Sequence, residues 1–332
     1  LIEKQRGGLT LSQDEQRYLD RAKAARQKLQ QERRDAVSAK QRKAPERLIP
    51  LTDMSAEDRY EGEEGGLYGS GRNAPPESLT KTAQLTLEKI QPLDRMGQSS
   101  ADGRIVFVSI SMSNATQEFT RFKELADQSP AKSKRVTIVD CAQGGQAMAQ
   151  WAPPNARPWQ VARQRLVEAN VSPEQVQVAW VKLANMGPTG SLRDHGKKLE
   201  ADTLNVLHNA RVQFPNLKIA YLGSRIWAGN GTGPLNPEPY AYEGAFVVRW
   251  LIRRQMEGDS ELSLTKTPLL LWGPYLWAEG TKGRKVDSLQ WERGDFFDDG
   301  IHPSKSGRQK VAEQLLDFMT TDPMAKPWFT NP

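Results

Sequence analysis

The sequence predicts an α/β protein in which a doubly wound, five-stranded parallel sheet forms the middle layer of a three-layer α/β/α sandwich. Five short apolar runs, each bounded by turn residues, occur after residue 103, and such runs are typical of strands buried on both faces. An amphipathic stretch follows each run, as expected of helices that cover such a sheet. The strands are predicted at 105–110, 136–139, 176–181, 219–223 and 269–272, and the helices at 116–127, 158–169, 196–213, 241–257 and 305–319.

Residues 1–100 are predicted to be an N-terminal helical extension that wraps on a main domain of residues 101–332. A long helix is indicated over 12–43, because a capping-box pattern stands at its start and Pro45 follows its end. Its apolar stripe is thin and the remainder is charged, so it packs by one edge or projects from the body. Residues 49–78 are rich in Gly, Pro and acidic side chains, which favours an irregular segment.

The composition is that of a globular chain and not of a nucleic-acid-binding or membrane-spanning one. The formal net charge is +6 over 332 residues, but residues 1–48 carry 13 Lys and Arg against 7 Asp and Glu, so the remainder is neutral. No nucleic-acid-binding motif accompanies this basic segment, and no apolar run reaches the roughly 20 residues that span a bilayer. The single cysteine, Cys141, excludes an internal disulfide and a cysteine-based metal cluster, and its apolar surroundings indicate a buried side chain.

Reactive side chains stand where two of the predicted strands end. The first strand leads into Ser-Met-Ser-Asn at 111–114, and the segment after the last strand contains Asp-Gly-Ile-His-Pro at 299–303. Because ligands of a doubly wound sheet gather at the carboxyl ends of its strands, we expect the two segments to meet. A serine hydroxyl needs a base to become a nucleophile, and the base needs a partner that fixes its tautomer. The Asp-x-x-His segment can supply both the base and its partner.

At these residues the chain resembles the SGNH (GDSL-like) hydrolases over residues 104–320. The segment 299–303 has the Asp-x-x-His-Pro form of that superfamily, and 111–114 is similar to the Gly-Gln-Ser-Asn form of its carbohydrate acetylesterase branch, with Ser in place of Gly. In this superfamily a serine after the first strand is the nucleophile, and backbone and side-chain donors after the next two strands hold the oxyanion.

The resemblance implies a catalytic triad of Ser113, His302 and Asp299. Ser113 is the preferred nucleophile. Ser111 stays as the alternative, because an error of two residues in the end of the strand would exchange the two serines.

The donors of the oxyanion hole are predicted after the second and third strands. In the segment 142–147 the resemblance implies Gly145 as a backbone donor, with Gly144 as a close competitor. The third block departs from the family pattern, because Lys182 falls where the acetylesterase branch has Gln and Asn185 follows three residues later. Either side chain could donate a hydrogen bond to an oxyanion. We expect Lys182 to lie in the site and Asn185 to have a surface or structural role.

Substrate contacts are predicted around the fourth strand and the loops beyond it. Arg225 follows that strand, Tyr242 and Glu243 follow a Pro-rich loop, and Trp277 precedes the Asp-x-x-His segment. Aromatic faces stack on sugar rings and an arginine binds carboxylate or sulfate with two parallel hydrogen bonds. Core packing is the alternative for each aromatic residue.

These observations predict a serine ester hydrolase that removes a small acyl group, most plausibly acetyl, from a carbohydrate without a metal or organic cofactor. His195 and His208 lack partners at metal-ligand spacing and are expected in surface or packing roles. The alternatives are a carbohydrate-binding protein without catalysis, or a protein that binds a partner through its N-terminal helix. Since the chain starts at Leu1, we expect a processed, secreted or periplasmic protein whose signal peptide has been removed.

Overall fold

Five parallel strands form the sheet that the apolar runs predict, in a computed structural model that describes residues 11–45, 47–231 and 233–330. The strands, including a short hairpin that precedes the sheet, are β1 (Arg59–Tyr60), β2 (Glu63–Glu64), β3 (Ile105–Ile110), β4 (Val136–Val139), β5 (Val176–Lys182), β6 (Ile219–Gly223) and β7 (Leu269–Trp272). The helices are α1 (Gln13–Ser38), α2 (Glu77–Leu87), α3 (Ser113–Gln128), α4 (Met148–Trp151), α5 (Arg157–Glu168), α6 (Leu192–Gln213), α7 (Tyr240–Met256), α8 (Lys305–Thr321) and α9 (Lys326–Phe329).

The order across the sheet is β4-β3-β5-β6-β7, and every pair of neighbours is parallel. On one face α3 packs against α8, and on the other α6 packs against α7. Successive side chains of a strand point to opposite faces of the sheet. Phe107 of β3 points to the face covered by α3, where its ring contacts Phe119 and Phe122. The predicted α/β/α fold class is therefore confirmed.

The chain reverses its direction of travel across the sheet between β3 and β5. From β3 it crosses outward to β4 and then returns to the other side of β3 to form β5, where Ile110 pairs with Val181. The loops that leave the carboxyl ends of β3 and β5 consequently diverge and leave a crevice between them. This is the position at which a doubly wound sheet binds its ligand.

Three helices differ from their predicted bounds by three or more residues at one end. Helix α3 starts at Ser113, three residues before the predicted start, and α6 starts at Leu192 because Ser191 forms a capping box with Asp194. Helix α1 has the predicted capping box at its start but ends at Ser38. In the described part of the chain, the helices are too short or too polar to cross a membrane. Cys141 is fully buried.

Residues 47–100 of the extension contribute side chains to the core of the main domain. Leu48, Leu51 and Met54 belong to the same buried cluster as the strands of the sheet. The Leu51 N–H donates to the Tyr275 hydroxyl at 3.0 Å, and the Trp272 indole donates to the backbone carbonyl of Leu67 at 2.9 Å. Residues 1–10, where the predicted extension begins, lie outside the described residues.

A second contact fixes the extension to α7 through the buried carboxylate of Glu243. Arg42 and the Tyr60 hydroxyl, both from the extension, hydrogen-bond one oxygen of this carboxylate, and His195 of α6 lies 2.5 Å from the other. Burial by itself would raise the pKa of Glu243, but the hydrogen bonds from His195, Tyr60 and Arg42 outweigh it and the pKa is lowered. The ionised carboxylate is therefore the form that holds the extension in place.

Candidate active site

The Asp-x-x-His segment forms a tight loop ahead of α8. The Asp299 carboxylate accepts the backbone N–H groups of Ile301 and His302, each at 2.9 Å, through one oxygen. Gly300, which lies between Asp299 and Ile301, has a φ of +64°, and a Cβ atom there would lie 2.0 Å from the carbonyl oxygen of Asn230. Only glycine fits this position. The loop thus presents the second carboxylate oxygen of Asp299 and the His302 ring to each other.

His302 connects the loop to the end of β3. Its Nδ1 lies 2.5 Å from Asp299 Oδ2, and its Nε2 lies 2.8 Å from the Ser113 hydroxyl. Burial alone would raise the pKa of Asp299, but the hydrogen bonds from the His302 ring and the two backbone amides outweigh burial and lower it. Asp299 is therefore ionised, which favours the tautomer with the proton on Nδ1 and leaves Nε2 free to accept the Ser113 proton.

Ser113 is the first residue of α3, directly after the extended backbone of Met112. The first N–H groups of a helix lack intrahelical partners and carry partial positive charge. Ser113 carries one of these N–H groups at the position of its own hydroxyl in the chain, so its amide is a candidate donor to a bound ligand. A carbonyl oxygen bound there would gain a donor as negative charge develops on it.

Ser111, the alternative nucleophile, lies in a different environment. Its hydroxyl is fully buried and donates to the backbone carbonyl of Lys182 at 2.5 Å. Its own carbonyl accepts the backbone N–H of Gln143 at 2.9 Å and the Trp151 indole at 3.2 Å. Ser111 thus ties the end of β3 to β5 and to the loop that follows β4, and Ser113 is the serine beside His302.

Gly145 follows β4 and lines the same cleft as Ser113 and His302. Its φ is +73°, and a Cβ atom built on it or on Gly144 would meet no neighbour within 4 Å. The conformation of Gly145, rather than crowding, is what favours glycine there. The loop keeps its position because the Ser109 hydroxyl accepts the N–H groups of Cys141 and Ala142 at 3.0 and 3.1 Å.

The prediction that Lys182 belongs to the oxyanion hole is wrong. Strand β5 extends through Lys182, so its side chain follows the alternation of the strand onto the face covered by α3. The ammonium lies 2.7 and 2.5 Å from the two oxygens of Glu118, and both side chains are completely buried. Burial lowers the pKa of Lys182. Lys182 is part of a buried ion pair and does not line the cleft.

Asn185, three residues beyond Lys182, lines the cleft in its place. Its amide oxygen accepts the Ala149 N–H at 2.9 Å, and its Nδ2 donates one hydrogen to Asp202 at 2.6 Å. These contacts orient the side chain, and among the described residues the second Nδ2 hydrogen has no acceptor, so a ligand can take it. Asn185 is therefore the candidate side-chain donor to an oxyanion from the segment after β5, the role that was predicted for Lys182.

Two further side chains hold the loop of residues 299–303 in place by hydrogen bonds to its backbone. The buried Asn114 amide donates to the carbonyl of Ile301 at 2.8 Å, and a guanidinium nitrogen of Arg225 donates to the same oxygen at 3.2 Å. Both residues line the cleft. The sequence predicted Arg225 near the substrate but did not reveal the contact of Asn114 with Ile301, although Asn114 directly follows Ser113 in the Ser-Met-Ser-Asn segment.

The predictions that Tyr242, Glu243 and Trp277 contact the substrate are wrong, because these residues lie outside the cleft. Tyr242 is buried with its hydroxyl against the Met54 sulfur, and Glu243 binds the extension as described above. The buried Trp277 indole donates to Glu238 at 2.8 Å. Helix α7 is covered by α6 on one side and by the extension on another, so its aromatic residues serve in packing.

The cleft is small and largely apolar. Its volume is about 220 Å³. Beside the polar residues already described, its wall is formed by Met112, Met186, Leu235 and Ile301. In the described part of the chain no group of three or more His, Cys, Asp or Glu side chains could hold a metal ion. The Ser113 hydroxyl and the His302 imidazole line the cleft, together with the side-chain amides of Asn114 and Asn185.

Comparisons with known proteins give distant structural neighbours only. No family model matches the chain, and no curated protein matches it. The solved structures that resemble it include a proposed acylhydrolase of Bacteroides fragilis (TM-score 0.37, 13% identity, 74% of this chain and 96% of that chain), the periplasmic domain of a lipopolysaccharide acetyltransferase of Salmonella ser. Paratyphi A (0.36, 10%, 74% and 97%) and a salicylyl-acyltransferase from a tetracycline biosynthetic pathway (0.34, 14%, 68% and 58%).

Likeness at this level decides neither the family nor the reaction. The resemblance to the SGNH superfamily rests on the sheet topology and on the motif positions in this chain.

Proposed function

We propose that this protein is a serine ester hydrolase or acyl-transferring enzyme of the SGNH type. One observation carries the proposal: the Ser113 Oγ lies 2.8 Å from His302 Nε2, and His302 Nδ1 lies 2.5 Å from Asp299 Oδ2. The proposal is also supported by the position of these three residues at the switch point of the sheet, beside an apolar cleft.

In this mechanism Ser113 Oγ attacks the ester carbonyl carbon while its proton moves to His302 Nε2. Asp299 holds the Nδ1 proton and stabilises the imidazolium that results. The Ser113 and Gly145 backbone N–H groups and the free Nδ2 hydrogen of Asn185 are the proposed donors to the oxyanion.

The tetrahedral intermediate then breaks its bond to the alcohol, which leaves with the proton from His302. Water attacks the acyl-enzyme, gives a proton to His302, and the acid departs as Ser113 regains its hydrogen. An acceptor hydroxyl in place of water would give acyl transfer by the same steps.

The substrate is proposed to be an acylated carbohydrate. This part rests on the similarity of the segment 111–114 to the acetylesterase form, since Tyr242 and Trp277, which were expected to stack on a sugar, are buried elsewhere. A secreted or periplasmic location belongs to the same proposal, and fractionation of cells that express the complete gene tests it.

Hydrolysis of 4-nitrophenyl acetate by the wild type, Ser113→Ala and His302→Ala tests the reaction. We expect kcat to fall by about 10³-fold or more in either variant. His208→Ala is the matched control, because His208 is only half-buried, lies outside the cleft and has its Nε2 bound to the Glu261 carbonyl. Activity that survives in Ser113→Ala and disappears in Ser111→Ala would move the nucleophile. A wild type inactive on this ester and on acetylated glycans would end the enzyme proposal.

A further inference from the structure

Arg225 is a buried cation on the wall of the proposed active site. It follows β6 after Ser224, its side chain is 2% exposed, and it lines the cleft together with Ser113 and His302. A guanidinium in such a place carries a large desolvation cost unless hydrogen bonds and an opposite charge compensate for it. The partners of Arg225 therefore decide whether the protein alone satisfies it.

The protein supplies few partners to this guanidinium. One terminal nitrogen donates to the Ile301 carbonyl at 3.2 Å, and the other has only the Met112 sulfur at 3.9 Å. The Nε atom is buried and has no hydrogen-bond partner among the described residues. A guanidinium offers five N–H donors, so most of them remain unused within the described part of the chain.

The carboxylates whose charge acts on Arg225 are Glu118, Glu238 and Asp299, and each is bound to another group. Glu118 is paired with Lys182 at 2.5 Å, and Asp299 lies 2.5 Å from His302. Glu238 accepts three N–H groups, including the Trp277 indole at 2.8 Å. Across the described residues, no carboxylate lies within ion-pair distance of Arg225, so a direct ion pair requires a carboxylate from a ligand.

The surroundings of Arg225 strengthen this requirement. The apolar side chains of Met186, Leu235 and Ile301 form much of the remaining wall, and in such a low-dielectric site a charge-assisted hydrogen bond is worth more than in water. The volume of about 220 Å³ also exceeds the roughly 150 Å³ of a cavity that holds benzene. An acetyl group alone would leave both the space and the cation unused.

We propose that the cleft takes an ester with a carboxylate close to its scissile bond, and that Arg225 binds that carboxylate. This inference rests on the proposed ester chemistry. The carboxylate belongs either to the acyl part, as in the half-ester of a short dicarboxylic acid, or to the alcohol part, as in an acylated uronic acid.

Two pairs of substrates distinguish these sources. For the acyl part, mono-4-nitrophenyl succinate is compared with 4-nitrophenyl 4-methylpentanoate, in which an isopropyl group replaces the carboxylate. For the alcohol part, acetylated methyl galacturonate is compared with acetylated methyl galactoside. In one pair we expect the wild type, after subtraction of the spontaneous rate, to prefer the anionic ester by about 10- to 100-fold in kcat/KM.

Variants at Arg225 separate binding from bracing of the Ile301 carbonyl. Arg225→Gln should remove most of the preference by lowering kcat/KM for the anionic ester more than for its neutral counterpart, and Arg225→Lys, which keeps the charge, should retain part of it. An equal loss on both members of each pair would assign Arg225 to bracing alone. A wild type that shows no preference in either pair overturns the inference, whether or not the variants fold.

A binding measurement separates failure of this inference from failure of the enzyme proposal. Monomethyl succinate and methyl galacturonate are titrated into Ser113→Ala by calorimetry, with the neutral methyl 4-methylpentanoate and methyl galactoside as matched controls. Preferential binding of one anionic compound, lost in Ser113→Ala with Arg225→Gln, would sustain the anion site even if no ester is hydrolysed. Absence of preferential binding together with hydrolysis of neutral esters would refute the site and leave the reaction standing.

Discussion

The buried ion pair between Lys182 and Glu118 offers a quantitative test of the assignments at the end of β5. Lys182→Met removes the ammonium and keeps most of the side-chain length. Glu118, which is completely buried, would then lose its contacts of 2.7 and 2.5 Å and retain no counter-charge at that distance. Breaking a buried pair on one side costs about 3–5 kcal/mol of unfolding free energy.

The double variant Lys182→Met with Glu118→Leu should recover most of this loss. The methionine side chain introduced at position 182 would lie beside the Trp180 ring, whose centroid is 5.8 Å from the Lys182 ammonium in the wild type. Apolar replacement of a buried pair is often neutral or stabilising. We therefore expect the double variant to lie within about 1 kcal/mol of the wild type or above it.

Urea unfolding followed by tryptophan fluorescence measures these differences. With an m-value of about 3 kcal/mol/M, Lys182→Met should lower the unfolding midpoint by about 1 M or more. The control is Lys81→Met, which removes an ion pair whose side chains are 69% and 81% exposed and should cost under about 1 kcal/mol.

Two results would refute this reasoning. A double variant as unstable as Lys182→Met would mean that charge pairing is not the source of the effect. A double variant that is stable, yet hydrolyses esters at least 100-fold more slowly than the wild type, would return Lys182 to the catalytic machinery.

Three further changes test the site and the extension. Asp299→Asn should lower kcat for an activated ester by about 10⁴-fold, because His302 would hold the wrong tautomer; steady-state kinetics would show it. Gly300→Ala should displace the loop, since the added Cβ would lie 2.0 Å from the Asn230 carbonyl, and an unchanged kcat and thermal midpoint would contradict the tight-loop description. The pKa of Glu243 in the folded protein lies below its ordinary value of 4.5. The ionised carboxylate therefore stabilises the fold fully above pH 4.5, and this stabilisation is lost as the pH falls through the folded pKa. Glu243→Gln should make the free energy of unfolding in urea less dependent on pH between about pH 6 and pH 3.

Local patterns in the sequence predicted the sheet, and the resemblance at 111–114 and 299–303 predicted that Ser113, His302 and Asp299 would meet. Buried parallel strands need continuous apolar runs, and these runs stand out against the polar loops of this chain. The pair Asp299 and His302 lies within four residues, so its geometry follows from one turn of backbone. Ser113 is distant in sequence, but its place directly after β3 follows from the topology.

The contacts that the sequence did not reveal are distant in sequence and depend on side-chain direction. Lys182 and Glu118 are 64 residues apart, and the strand extends one residue beyond its predicted end, which determines the face that Lys182 occupies. A polar residue at a strand end can face either the cleft or a helix. Trp277 has an aromatic face suited to a sugar, but its indole is used by a buried carboxylate. Composition alone cannot separate these possibilities.

The contacts between the extension and the sheet have a consequence for how this gene could be divided. Leu51 and Met54 fill part of the same core as the strands, and Trp272 of β7 gives its indole hydrogen to Leu67. A shortened chain that begins at residue 101 would therefore expose apolar surface at β7 and leave an indole donor unpaired. The five-stranded sheet is not a transferable module on its own, and any swap or fusion that moves Ser113, His302 and Asp299 to another protein has to carry the preceding segment with it.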